Sequence, residues 1–176
     1  QQALNNGDSG IIGYQLTYDL SAIQQIYAMR KKAVGLLGND KGAQKPVPFT
    51  EDTEVPPENL ADFIMEFRAL LDSHGLAYGM FGHVDAGVLH VRPALDMCDP
   101  EQEKQLRVIS DQVVKLTAKY GGLMWGEHGK GYRSEYGPEF FGEALFTELR
   151  KIKTAFDPFN RVNPGKICTP IDSSEQ

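Results

Sequence analysis

Tyr78 to His90 read YGMFGHVDAGVLH, and this stretch decides how the rest of the chain is arranged. Taken as a hairpin with Ala86 and Gly87 as its two central residues, it sets Asp85 opposite Val88, Val84 opposite Leu89 and His83 opposite His90. Cross-strand partners lie side by side on one face of a sheet. Two imidazoles so placed make half of a metal site, because neutral imidazole is a good ligand for zinc-like ions. Gly87 suits the turn, since it takes positive φ without strain. A longer loop would also bring both rings to one ion.

Upstream, Pro56-Pro57 opens a predicted helix whose buried stripe is Leu60, Phe63, Ile64, Phe67, Leu70 and Leu71, with Gly75 as its C-terminal stop. Phe49 to Val55 is expected to be a strand, in which the neighbours Glu51 and Asp52 point to opposite faces. Gly38 to Pro48 is a turn-rich loop carrying Lys41 and Lys45. A helix is predicted from near Ala22, capped by Asp19 or Ser21, with Ile23, Ile26, Tyr27, Val34 and Leu37 on one face. Arg30 shares that face; it either snorkels to water or offers its planar fork to a carboxylate. Ile11 to Leu16 is expected to form a short strand, after a polar linker at Gln1 to Gly10.

Downstream, Val91 extends the second strand and Arg92-Pro93 is expected to end regular pairing, as proline has no amide hydrogen to give. Asp99-Pro100 is a strong helix start, with Gln102 placed to complete a capping box. Leu106, Ile109, Val113, Leu116 and Tyr120 form the core stripe of that helix, and Gly121-Gly122 ends it. Leu123 to Trp125 reads as a short strand running into GEHGKG at 126–131. A last helix is predicted from Phe140 to Ala155, with Leu145, Leu149, Ile152 and Phe156 facing the core. Asp157-Pro158 stops it, and Asn163-Pro164-Gly165-Lys166 is a second punctuated loop. The expected fold class is α+β, a mostly antiparallel sheet with helices packed on one side, plus a C-terminal helical segment. The expected domain lies at 21–170, preceded by a linker or boundary segment at 1–20 and followed by a loose tail at 171–176.

The 176 residues suffice for one domain with a sizeable core. Apolar residues at 41% and charged residues at 24% are ordinary for a globular protein. A net charge of -6 argues against a nonspecific nucleic-acid partner, but leaves room for an anionic substrate held by one or two local cations. Cys98 and Cys168 form no C-x-x-C pair and read as ordinary thiols. Without a signal peptide or a spanning apolar run, the expected location is cytoplasmic, with at most peripheral contact with the inner membrane.

The chain has four histidines. His74 stands at a helix end, where a dipole or solvent contact is expected. His83, His90 and His128 lie in glycine-rich or strand-flanking segments, and Glu127 adjoins His128. Two histidines and a glutamate are a common metal-binding set with one position left open. His128 is then free to act as a base. Scattered core and surface histidines are the other reading of the same pattern. Gly126, Gly129 and Gly131 let backbone approach a flat ligand, although GEHGKG is neither a Walker loop nor a dinucleotide fingerprint. Asp85 either orients an imidazole or merely starts a turn.

GHVDAGVLH, GGLMWGEHGKGYR and FDPFNRVNPGK, in this order, resemble the C-terminal, substrate-side region of FAD-linked oxidases of the vanillyl-alcohol oxidase type, whose cap is ferredoxin-like. Within that family the chain is similar to the D-2-hydroxyacid dehydrogenases, those acting on D-lactate and D-2-hydroxyglutarate. RKKAVGLLG, KPVPFTEDTEVPPENL and HVRPALDMCDP look closer still to bacterial members fused to an iron–sulfur module. The resemblance implies that His83, His90 and Glu127 ligate a divalent metal, zinc foremost. It implies that His128 takes the proton from the substrate hydroxyl, that Arg30 grips the substrate carboxylate and that Lys45 assists. It places Asn163 and Lys166 of the terminal loop, together with Gly129, beside the flavin. The implied reaction is oxidation of a small D-2-hydroxy acid to the 2-oxo acid by hydride transfer to flavin. FAD would be held mainly by a preceding domain of the same polypeptide, any iron–sulfur cluster would belong to another region, and the chain alone would be inactive. Two other readings stand beside this one: a metal-dependent hydrolase with Glu127 as base, and a non-catalytic binding module.

Overall fold

The structure is a computed structural model that describes residues 14–37, 42–129, 131 and 134–173, with backbone alone for 33–37. Several expectations lie outside the described residues: the linker at 1–10, residues 11–13 of the first strand, the side chains of Val34 and Leu37, Lys41, and the end of the tail at 174–176. The chain divides into two compact units, Gln1–Asp40 and Lys41–Gln176.

The first unit holds helix α1, Leu20–Leu37. Asp19 caps it: its carboxylate accepts the amide hydrogens of Ser21 at 3.3 Å and Ala22 at 3.1 Å. Residues 14–16, expected in a strand, have no regular structure. Ile26, Tyr27 and Met29 are exposed.

The second unit runs β1 (Lys45–Pro46), β2 (Thr53–Glu54), α2 (Leu60–Ser73), β3 (Tyr78–His83), β4 (Val88–Leu95), α3 (Pro100–Lys119) and α4 (Gly137–Phe156). Among the described residues the named strands pair antiparallel through β4, which pairs with β1 at Leu95 and Ala94, with β2 at Leu89 and Val88, and with β3 along 88–93. The expected ferredoxin-like, sheet-led α+β cap does not form. Helices of 18, 14, 20 and 20 residues outweigh strands of 2, 2, 6 and 8, and the sheet is open. The reason lies upstream of α2. Pro48 and Phe49 form a turn, Asp52 takes φ 71, and only Thr53–Glu54 of the predicted 49–55 strand is left to pair. Leu123 likewise makes one bridge to Glu54 and no strand.

Two further expectations are corrected. Pro93 lies inside β4 instead of ending it: Tyr78 is its partner on one side, and on the other its carbonyl accepts the amide of Val47 at 2.9 Å. At such a position no amide hydrogen is required of proline. In α4, Leu145, Ile152 and Phe156 are exposed, not core-facing. Gly142 (φ 68, ψ 164) breaks the helix in two. The part before the break sends Phe140 and Phe141 onto Trp125, with ring centroids at 5.4 and 5.8 Å. The part after it presents its apolar row where no described element covers it.

The core is formed by α2 and α3 with β4. Phe63, Phe67 and Leu71 pack with Ile109, Val113 and Val114, and with Leu89 and Val91. Asp99 caps α3, accepting the Glu101 amide at 2.9 Å, while Gln102 turns to the Asp96 amide at 3.0 Å and to Asp99 Oδ2 at 3.1 Å. Across the helix pair, Glu66 accepts from Lys119 at 2.6 Å and from the Tyr120 hydroxyl at 2.7 Å. These two bonds hold the Glu66 carboxyl below its ordinary range, and the bond to Glu66, with burial, pushes the Tyr120 phenol up to about 12. No helix among the described residues is long and apolar enough to cross a membrane.

Candidate functional site

The β3–β4 hairpin closes two residues earlier along β4 than the sequence suggests. Val84–Ala86 form a short 3-10 turn, Gly87 follows at φ 72, and His83 pairs with Val88 while His90 pairs with Phe81. His83 and His90 are therefore diagonal neighbours, not direct partners. Because side chains alternate with a period of two, a shift of two residues leaves both on the same face. Their ring centroids stand 5.8 Å apart, nearly perpendicular. His90 is buried in β4, and its Nδ1 has no hydrogen-bond partner among the described residues.

Glu127 and His128 come to this face from the loop that follows Trp125. Glu127 Oε1 lies 2.8 Å from His90 Nε2, 3.3 Å from His83 Nε2 and 3.4 Å from His128 Nε2. Three imidazole nitrogens thus surround one carboxylate oxygen. The His128 ring stacks on His90 at 4.8 Å, with 14° between planes. Asp52, His90, Glu127 and His128 each offer a ligand atom within 4.8 Å of the others. Mixed imidazole and carboxylate donors at this spacing fit a zinc-like divalent cation. The buried carboxylates of Glu51 and Asp52 add negative charge, which Arg92 offsets in part by donating to Glu51 at 2.6 and 3.2 Å.

Four of the residues singled out in the sequence, His83, His90, Glu127 and His128, are brought together here. Arg30 belongs to α1 of the first unit. Lys45 pairs with Leu95, five residues along β4 from His90 and so roughly 17 Å away by strand rise. Gly129 is exposed at φ 68, with nothing within 4 Å of where a Cβ would stand, so a flat group has room to approach its backbone. Asn163 (φ 48) and Lys166 form a surface turn in which the Lys166 amide donates to the Asn163 carbonyl at 3.2 Å. The third carboxylate, Asp52, is what a sequence reading in extended geometry misses. The available signal is its type, since aspartate is among the few residues found at positive φ.

The chain is 76% identical over 164 residues to a protein of Pantoea ananatis named D-2-hydroxyglutarate dehydrogenase, and 75% identical over 162 residues to one of Escherichia coli with the same name. These matches cover 93% and 92% of this chain. A protein of Anaerostipes hadrus named D-lactate dehydrogenase is 34% identical over 119 residues, which is 66% of this chain and 25% of that protein. The chain spans only 16% of the length of its Pantoea and Escherichia relatives. The family described as FAD linked oxidases, C-terminal domain, matches residues 2–167. With nearly its whole length matched, and with His83, His90, Glu127 and His128 gathered on one face, the chain belongs to the C-terminal domain family of the FAD-linked oxidases.

Proposed function

We propose that this chain is the substrate-side part of an FAD-dependent dehydrogenase that oxidises a D-2-hydroxy acid to the 2-oxo acid. The observation that carries the reading is the gathering of His83, His90 and His128 around Glu127 Oε1. The names of the relatives favour D-2-hydroxyglutarate or D-lactate as the acid. His83, His90 and Glu127 hold a divalent ion, zinc foremost, while Gly129, Asn163 and Lys166 are this chain's contacts to a flavin bound mainly elsewhere in a longer polypeptide. When bound, the ion supplies a Lewis acid for the 2-hydroxyl and the flavin supplies the acceptor for the hydride of C2. His128 takes the hydroxyl proton on Nε2. Arg30 grips the substrate carboxylate with its planar fork and Lys45 assists, which fixes the face of C2 that is presented. These last two roles rest on resemblance alone, as does an iron–sulfur module beyond this segment.

Two measurements test the reading. Zinc titration of the chain by calorimetry should give one site, lost in His83→Ala and in Glu127→Gln. In the polypeptide that also carries the flavin segment, D-2-hydroxyglutarate or D-lactate should bleach the flavin, and His128→Ala should slow that reduction by about a hundredfold or more. Near-normal reduction without His128 would overturn the assignment of the base.

A further inference from the structure

Two adjacent acidic residues hold His128, and the backbone at Asp52 makes this possible. In an extended chain Glu51 and Asp52 would face opposite ways. With φ 71 at Asp52, both carboxylates come to the same imidazole: His128 Nδ1 lies 3.4 Å from Glu51 Oε1 and 3.9 Å from Asp52 Oδ1. Both residues are buried, Asp52 completely. Asp52 also secures the backbone of the loop. Its Oδ1 accepts the Glu127 amide at 2.9 Å, its Oδ2 accepts the His128 amide at 2.8 Å, and its carbonyl accepts the Gly126 amide at 2.9 Å. Its own amide donates to the carbonyl of Leu89 at 2.9 Å, one residue before His90. The placing of Glu127 and His128 relative to His90 therefore runs through this one residue. Glu51 is fixed in turn by Arg92, whose guanidinium lies over the Phe81 ring at 5.6 Å.

We propose that the Glu51–Asp52 dipeptide is the positioning element of His128. Asp52 sets where the Glu127–His128 backbone sits. Glu51 faces Nδ1 as an acceptor and favours the tautomer that keeps its hydrogen there, which leaves Nε2, turned toward Glu127, with the free lone pair. In this assignment Asp52 acts on the loop backbone and not as a metal ligand, although it stands in the same tight group; each of its oxygens accepts a short charge-assisted bond from an amide. The Glu51 half rests on the reading of His128 as a base; the Asp52 half does not.

Amide hydrogen exchange tests the Asp52 half. Asp52→Gly keeps the positive φ and removes the carboxylate. It should lower protection at the Glu127 and His128 amides by about tenfold or more, with Val91 in β4 unchanged. Adding zinc to the unmodified chain should keep or raise protection at those two amides. Unchanged protection in Asp52→Gly would overturn the clamp, and a loss of protection on adding zinc would overturn it in favour of Asp52 as a ligand. Nitrogen-15 signals of the neutral His128 ring test the Glu51 half. The unmodified chain should show the Nδ1–H tautomer, and Glu51→Gln, which keeps the shape, should shift the tautomer ratio toward Nε2–H by about tenfold. Equal ratios would overturn it. A chain that passes these tests while its flavin-bearing form fails to oxidise any 2-hydroxy acid would refute the proposed reaction and leave the clamp standing.

Discussion

Gly87→Ala is the substitution whose cost the structure sets most narrowly. Gly87 sits at φ 72, and a Cβ built on it would lie 1.9 Å from the carbonyl oxygen of Val55 and 3.1 Å from its carbonyl carbon. The obstacle is backbone, and that backbone is itself bound here, since the Val55 amide donates to the Gly87 carbonyl at 3.0 Å. Relief requires the segment before α2 to retreat by about 1 Å or the turn to open, a strain comparable to core overpacking. The left-handed conformation costs roughly 1–2 kcal/mol for a residue with a Cβ, and overpacking adds roughly 1–3, giving about 2–5 kcal/mol. A domain of this size has only about 5–15 kcal/mol in total. Gly75→Ala supplies the control: Gly75 has φ 66 and nothing within 4 Å of its Cβ position, so it should lose roughly 1–2 kcal/mol and no more. Urea denaturation of both variants and the parent, fitted with a common m-value, measures the difference. Zinc affinity measured alongside should fall in Gly87→Ala, where the turn between His83 and His90 is disturbed, and hold in Gly75→Ala. If Gly87→Ala proved no less stable than Gly75→Ala, the packing of the hairpin turn against Val55 would be wrong.

Asp99→Ala removes the cap of α3 and should lower the thermal or urea midpoint near neutral pH. The bonds from Glu101 and Gln102 hold the Asp99 carboxyl below its ordinary range, so the stability it contributes is present above about pH 4 and lost as pH falls through its lowered value; parent and variant should converge in acid. Asp157 is held at about 2 by Lys153 and by the amides of Arg161 and Val162. Its contribution is likewise complete above its ordinary value and lost as pH falls toward about 2, so the protection factors of the Arg161 and Val162 amides should fall over that interval. In the flavin-bearing polypeptide, Arg30→Ala and Lys45→Ala should each raise KM for the acid more than they lower kcat. An unchanged KM in Lys45→Ala would remove Lys45 from the substrate set, as its place far along β4 from His90 would explain.

Local signals proved legible where one residue type meets one physical need. Asp99-Pro100 starts a helix because aspartate satisfies orphan amides and proline has no amide to orphan, and α3 begins there. The stripe Leu60, Phe63, Phe67 and Leu71 is buried because its spacing suits one helix face and the adjoining layer supplies an apolar partner. The pairing of His83 and His90 on one face survived an error in register, since a slip of two residues preserves the face. What stayed hidden depends on distant backbone. The left-handed turn at Asp52, which brings a third carboxylate to the site, goes with bonds from the amides of residues 126–128, some seventy-five positions away. Pro93 tolerates a strand interior only because its neighbours ask for its carbonyl alone. The row Leu145, Ile152 and Phe156 has core periodicity and stands exposed, for periodicity reports that a helix has an apolar face and not which element lies against it.

The two halves of the site differ in how they are held, and this bears on time as well as position. His83 and His90 belong to a hairpin whose inner strand is paired along both edges, so their spacing persists through small local openings. Glu127 and His128 hang from a loop fastened by the carboxylate and carbonyl of Asp52. An ion entering would meet the two hairpin imidazoles already set and wait on the loop to complete its shell. On leaving, it would wait for the loop to lift. Residence time at the site should therefore follow the opening rate of residues 126–128 and be nearly indifferent to substitutions that loosen α2 or α3. On the proposed reading, the hairpin would decide where an ion sits and the loop how long it stays.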